Sequence, residues 1–426
     1  MKKYFLAFFV GVLALGVCAP SSSAGEIDVL VDKLVQKGIL NPVEAQIILD
    51  ETKQEVSTEV AENKSYALPT WVQKMKLKGD LRARYQYESK ANDKGQAKYH
   101  RNRGRYRFRL GVTTDVADQV EVGFGLATGG TDPRSTNQTM GESFETPDIR
   151  LDYAYGKYSP LSNVDIYLGR MKRKPVLWQT DDLLWDGDIN PDGIAVAATH
   201  ALNSDIDGFL NAGVFPMFQY DSSAEKNEAA DPAMYYAQVG LGSKLTDKIS
   251  LKGAVAYYGF TGIEGKAFGD SAGTNTGHST GLVYNYNSIN PTVELKISNP
   301  FEGIDLPLNI GAISFFGNYI YNPDPSDNNI GYLAGLKFGD SKIKNPGSWQ
   351  MKYQYRHLET DAWLDIFPDS DAYGGETNVA GHEVAWSYAW KKNVILGLDY
   401  YNMHPIEGSS SNNTQHLIQA DILFKF

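Results

Sequence analysis

From Trp71 to Phe426 the chain alternates, with apolar residues on one parity and polar or charged residues on the other. A period of two belongs to strands whose two faces meet different surroundings, and it leaves no room for long helices over this stretch. In KMKLKGDLRARYQYE (74–88) the odd positions from Met75 to Tyr87 are Met, Leu, Gly, Leu, Ala, Tyr and Tyr, and every even position is charged or Gln. RNRGRYRFRLGV (101–112) sets Arg101, Arg103, Arg105, Arg107 and Arg109 on one parity, with Tyr106, Phe108, Leu110 and Val112 on the other. One face of that strand therefore needs water and the other an apolar medium.

The alternation recurs in sixteen segments, among them VEVGFGLAT (120–128), IRLDYAYG (149–156), AMYYAQVGLGS (233–243) and HLIQADILFKF (416–426). Short connections (DVADQ, SPLSN, TDK, WKKN) take turns with long ones (Ser89–His100, Gly129–Pro147, Thr261–Tyr284, Thr360–Asn378). A soluble sandwich has no reason to distinguish its two ends in this way. A membrane barrel does, having short turns on one side and long loops on the other. Closure also pairs every backbone group that lipid would leave unsatisfied. The sequence therefore predicts an all-β membrane protein, a transmembrane barrel of about sixteen antiparallel strands. On the lipid face each arginine would cost roughly 2–4 kcal/mol near the midplane, so the arginine face is expected to line a wet lumen. The 41 glycines and 26 tyrosines suit close barrel packing and interfacial girdles.

The first 24 residues read as a cleaved signal peptide: Lys2 and Lys3, an apolar run from Tyr4 to Val17, and small residues at Ser22-Ser23-Ala24. Cys18, the only cysteine, lies within it, and Val17 before it suits lipidation poorly. Cleavage would leave a chain without thiol chemistry. The formal charge is −11, and −13 once Lys2 and Lys3 are gone, which argues against nucleic acid as a partner. No apolar run long enough for a membrane helix follows.

Residues 25–70 have a different pattern and are expected to form a helical segment and linker ahead of the barrel at 71–426. Ile27, Leu30, Val31, Leu34 and Val35 keep helical spacing before a stop at Gly38. Asn41-Pro42-Val43-Glu44 then reads as an N-cap, a first-turn proline and a capping glutamate for a helix from Pro42 to about Glu62. Two such helices bury little alone, so they either pair with copies or a partner or act as a spacer.

YLGRMKRKPVLWQTDDLLWDGDINPDGIAV (167–196), after the fifth strand, and the terminal ILFKF carry a resemblance to a known family. The chain resembles Gram-negative outer-membrane porins, most closely those with a short helical segment before the barrel, and is distantly similar to general-diffusion and phosphate-selective porins. The resemblance spans the signal, the helices and all of 71–426. It implies a third outer loop (170–192) folded into the lumen, a homotrimer, and helices in the periplasm. It also implies contact with outer-membrane lipid and lipopolysaccharide, and a terminal Phe426 read by the barrel-assembly machinery. The implied function is passive diffusion of small hydrophilic solutes, with no cofactor and no reaction.

On this reading Asp181, Asp182, Asp186, Asp188 and Asp192 of the loop oppose Arg82, Arg84, Arg103, Arg105, Arg107 and Arg109 on the wall. Arg150, Lys352 and Arg356 join them on the polar parity of their strands. Acid facing base gives a transverse field that favours small polar solutes. An arginine ladder for anions or phosphate, and arginines that merely hold the loop, are the alternatives. Asp188, Asn190 and Asp192 also match the first half of a calcium loop, D-x-N-x-D-G, yet its twelfth position is Thr199 rather than Glu. A turn fits the same residues. Seven histidines fall in no H-E-x-x-H spacing, so an enzyme is not expected. Remaining rivals are a closed barrel that tethers the outer membrane through its helices, a solute-specific porin, and a sheath for a cytochrome.

Overall fold

A computed structural model describes residues 31, 33–38, 40–62, 69–90, 99–219, 231–304, 310–408 and 413–426. The expected signal peptide, 1–24, and the first positions of the first helix lie outside them. The chain divides into two compact units, Met1–Gln73 and Lys74–Phe426.

In the first unit residues 33–36 are helical, and Gly38 ends the turn at φ 69°, its N–H donating to the Val35 carbonyl. Helix α1 (Pro42–Glu62) begins with a reciprocal capping box: Asn41 Oδ1 accepts from the N–H groups of Val43 and Glu44, while Asn41 N–H donates to Glu44 Oε2 at 3.0 Å. A short helix, α2 (Thr70–Gln73), follows.

The second unit is a closed sheet of strands β1 (Lys76–Lys90), β2 (Tyr99–Ala117), β3 (Val120–Ala127), β4 (Gln138–Thr139), β5 (Arg150–Leu161), β6 (Val164–Arg170), β7 (Asp192–Ala201) and β8 (Ile206–Pro216). It continues through β9 (Ala233–Lys244), β10 (Ile249–Thr261), β11 (Ser288–Ser298), β12 (Ala312–Tyr321), β13 (Ile330–Gly339), β14 (Trp349–Leu358), β15 (Val379–Lys391), β16 (Val394–Pro405) and β17 (Gln415–Lys425). The two-residue β4 only patches the upper half of β2. The other sixteen each pair antiparallel with their sequence neighbours, and β1 closes on β17 from Asp80↔Lys425 to Ser89↔His416. The result is a sixteen-stranded antiparallel barrel without a free edge, which lipid requires.

The alternation works as its pattern demands. Along β12, Ser314, Phe316, Asn318 and Ile320 point inward and are buried, while Phe315, Tyr319 and Tyr321 are exposed on the outer face. Leu77, Leu81 and Tyr85 of β1, Leu168 of β6 and Ile194 of β7 are likewise exposed and apolar. One strand breaks the count. At β3–β5 the register shifts, with Gly125 opposite Tyr153 but Leu126 opposite Leu151, so Asp152 is a bulge. Tyr153 and Tyr155, which strict alternation places with Leu151 on the lipid side, therefore turn into the lumen. Room for Tyr153 comes from two glycines: a Cβ on Gly111 or Gly125 would lie 2.0 or 2.2 Å from its side chain.

Inward folding extends beyond the third loop. Trp185, Leu183 and Leu184 of that loop pack with Ile263 and Tyr286 of residues 262–287 and with Trp363 and Leu364 of residues 359–378. The last two segments, expected as long outer loops, drop into the barrel because they carry large apolar side chains that only an enclosed core can bury. Against the loop-end parts of β8 to β10 and β12 to β14 the lumen is thus a hydrophobic core rather than open water.

Candidate functional site

The third loop, residues 171–191, circles the inside of the barrel and is tied at each step. Gln238 on β9 holds Trp178 from both sides, accepting from its N–H at 2.9 Å and donating to its carbonyl at 2.8 Å. Asn318 on β12 donates to Asp181 at 3.1 Å, and Arg356 on β14 pairs with Asp182 at 2.5 Å. The indole N–H of Trp363 donates to the Leu184 carbonyl at 2.7 Å, and Ser370 N–H to Asp186 at 2.9 Å. Last comes Asp188, which accepts from the N–H and hydroxyl of Thr136 at 3.0 Å each and meets Arg109 at 3.3 Å. Burial followed by the charge of Asp188 pushes the Asp186 carboxyl up to about 7, whereas Arg107 and Arg109 hold Asp188, though buried, below the usual carboxylate range.

These ties sort the expected basic wall into two groups. Arg84 is buried between Asp421 (2.7 Å) and Asp371 (3.2 Å), Arg107 is buried on Asp80 (2.8 Å), and Arg356 is buried between Asp182 and Asp369. Lys352 pairs with Glu383. Arg82 reaches Asn137 and Asp421, Arg103 reaches Glu88, and Arg105 bonds Gln86 and Ser135. Such groups tie strand to strand or loop to wall, and all of them but Arg105 meet a carboxylate. Arg150 sits at the loop-end rim and donates to the Gly129 carbonyl at 2.8 Å. Arg109 is different: it joins Asp80 of the wall (2.8 Å) to Asp188 of the loop.

Two expectations need correction. Asp192 is not in the constriction; it heads β7 with an exposed side chain paired to Arg170 at 2.6 Å. The calcium reading fails with it, because Asp188, Asn190 and Asp192 turn to three different partners: Arg109 with Thr136, Asp152, and Arg170.

Open space remains beside Arg109. A cavity of about 470 Å³ opens at the loop end, between residues 127–136 and the start of β5. A second, of about 570 Å³, opens at the turn end, among Lys78, Asp80, Gly111, Lys172 and Lys425. Both are lined by Asp152 and Asp188, so these two carboxylates mark where the spaces meet. The bulge that turns Tyr153 inward leaves Asp152 there, held by the amide of Asn190 at 2.8 Å. Residue typing on parity alone missed Asp80, Asp152 and the cavity lysines Lys78, Lys172, Lys174 and Lys425. Asp80 sits on the same even parity as Arg82 and was legible; Asp152 depended on a bulge that periodicity does not reveal.

A family model described as "Putative porin" matches the chain in three overlapping stretches, residues 31–100, 90–279 and 268–426. No curated protein matches the sequence. Among solved structures, Pseudomonas putida OprB superposes with a TM-score of 0.53 at 13% identity, over 83% of this chain and 94% of that one, a likeness of fold. A triple mutant of Rhodopseudomonas blastica porin gives a TM-score of 0.43 at 13% identity, over 83% and 100% of the two chains. With the family model matched over nearly its whole length and a closed sixteen-stranded barrel beneath it, this chain belongs to the outer-membrane porin family and forms a porin barrel in that membrane.

Proposed function

We propose that the protein lets small hydrophilic solutes and ions diffuse passively down their gradients, along a narrow water-filled path beside the third loop. The observation that carries this reading is the pair of cavities, one at each end of the barrel, that share Asp152 and Asp188 as lining. Arg109 on the wall faces Asp188 on the loop there, so a solute crosses a transverse field at the narrowest point. The apolar core and the buried ion pairs fill much of the remaining lumen, which favours small solutes. No step of chemistry is involved, and the solute's own gradient supplies the energy. The first 24 residues act as an export signal, α1 and the turn before it stand in the periplasm, and the barrel works as a homotrimer. Phe426, which stacks on Phe108 across β1, serves the barrel-assembly machinery, and the exposed apolar belt meets lipid and lipopolysaccharide. The test is a planar bilayer recording of the purified protein. Stepwise currents, grouped in threes, support the reading. A correctly folded barrel that passes no current sinks it in favour of the tether.

A further inference from the structure

The two cavities differ in the sign of their charge. The loop-end lining carries four carboxylates, Asp132, Asp148, Asp152 and Asp188, against two guanidinium groups, Arg150 and Arg170. The turn-end lining carries six cationic side chains, on Lys78, Arg109, Lys172, Arg173, Lys174 and Lys425, against Asp80, Asp152 and Asp188. Lys78 and Lys425 owe their place to register, for Lys425 pairs with Asp80 and Lys78 with Gly111, both on the lumen face. Lys172 lies over the Tyr153 ring at 4.0 Å. Among the described residues no ion pair joins Lys78, Lys172, Lys174 or Lys425 to a carboxylate, while Arg84, Arg107, Arg109 and Arg356 of the wall are bound to acids. Most of the unpaired positive charge lining the two cavities is therefore at the turn end and is lysine.

We infer that the channel is bipolar along its axis and rectifies, with the turn-end lysines as its anion-selecting group. This rests on the channel reading above. An acidic half concentrates cations and a basic half concentrates anions, because low-dielectric walls focus the field of fixed charge. When the loop side is positive, cations enter from the cation-rich half and anions from the anion-rich half. Both accumulate at the junction between Asp152, Asp188 and Arg109, and the conductance rises. The opposite voltage empties the junction of both. Since the long loops of such barrels face outward, the favoured direction carries anions from periplasm to exterior and cations inward.

The experiment records currents at equal and opposite voltages from oriented channels. Phe144, fully exposed on the second loop, supplies the label: streptavidin bound to biotinylated Phe144→Cys reports which chamber the loops face. In about 0.1 M potassium chloride, where the Debye length is about 10 Å, the loop-positive current should exceed its reverse by about 1.5-fold or more. In about 1 M salt, with a Debye length of about 3 Å, the ratio should fall toward one. The triple substitution Lys78→Gln, Lys174→Gln, Lys425→Gln, all at exposed side chains, should abolish the asymmetry and move the reversal potential toward cations. Symmetric currents in low salt, or asymmetry that survives the triple substitution, would overturn the inference and leave the channel standing. Absence of current from a folded barrel would instead remove the channel reading itself.

Discussion

Trp363 is the residue on which the inward loops lean most heavily. Its ring is fully buried, with Tyr258, Phe260 and Phe367 at centroid distances of 4.8, 5.6 and 5.7 Å. Its indole N–H donates to the Leu184 carbonyl at the middle of the third loop. Trp363→Ala removes a large buried ring, at about 3–5 kcal/mol. It also leaves that carbonyl without its donor, at about 1–3 kcal/mol more. The ladders that close the barrel are untouched, so the loss falls on the closed position of the loops. At about 1.4 kcal/mol per tenfold, the open population should rise about a thousandfold or more. Single-channel conductance should increase, and hydrogen exchange over 181–189 should accelerate, while the heat-modifiable gel band of the folded barrel stays. Trp363→Phe, which keeps most of the ring and loses the donor, should fall between. A variant with wild-type conductance and wild-type protection of 181–189 would refute the view that this contact holds the constriction.

Arg84→Met should destabilise the barrel by about 3–5 kcal/mol by stranding Asp371 and leaving Asp421 only the longer contact with Arg82, yet leave the reversal potential in place; Arg109→Gln should move the reversal potential instead. A changed selectivity in Arg84→Met would return the buried arginines to the pore. Because Asp186 is held up to about 7 in the closed loop but returns to about 3.9 when free, the closed loop binds the extra proton between those values. Its closure should therefore be strongest at the acid end and weaken as pH rises through that window. Hydrogen exchange of 181–189, corrected for intrinsic rates, should show this slope, and Asp186→Asn should flatten it. A Cβ on Gly335 would lie 2.2 Å from the Phe316 ring, so Gly335→Ala should cost about 1–3 kcal/mol. Adding Phe316→Leu should recover much of that in thermal unfolding; no recovery would mean the ring does not lie over Gly335.

How much of this was legible follows from the range of each cause. The period of two is local, so the strands, their lipid and lumen faces and the even count could be read from the chain. The capping box at Asn41 to Glu44 is local in the same way. Ion-pair partners are not: Arg84 meets Asp421 across the seam where the last strand returns to the first, and nothing near Arg84 announces it. Parity therefore found a basic face but could not tell arginines bound to acids from lysines left free. The bulge at Asp152 is a misfit between two strands rather than a property of either, and it moved Tyr153 and Tyr155 across the wall. One signal was present and went unread. Trp363, Leu364, Ile366 and Phe367 crowd apolar bulk into a segment expected to face water, which already argued that it folds inward.

The central claim is that water and solute pass between Asp152 and Asp188. It is tested most directly by thiol modification of Asp152→Cys during single-channel recording, with Tyr258→Cys, at a fully buried core position, as the comparison. A charged methanethiosulfonate added to either chamber should reduce the current of Asp152→Cys in discrete steps and leave Tyr258→Cys unchanged. Current that persists through full modification of Asp152→Cys, or a block at Tyr258→Cys, would put the path elsewhere in the barrel.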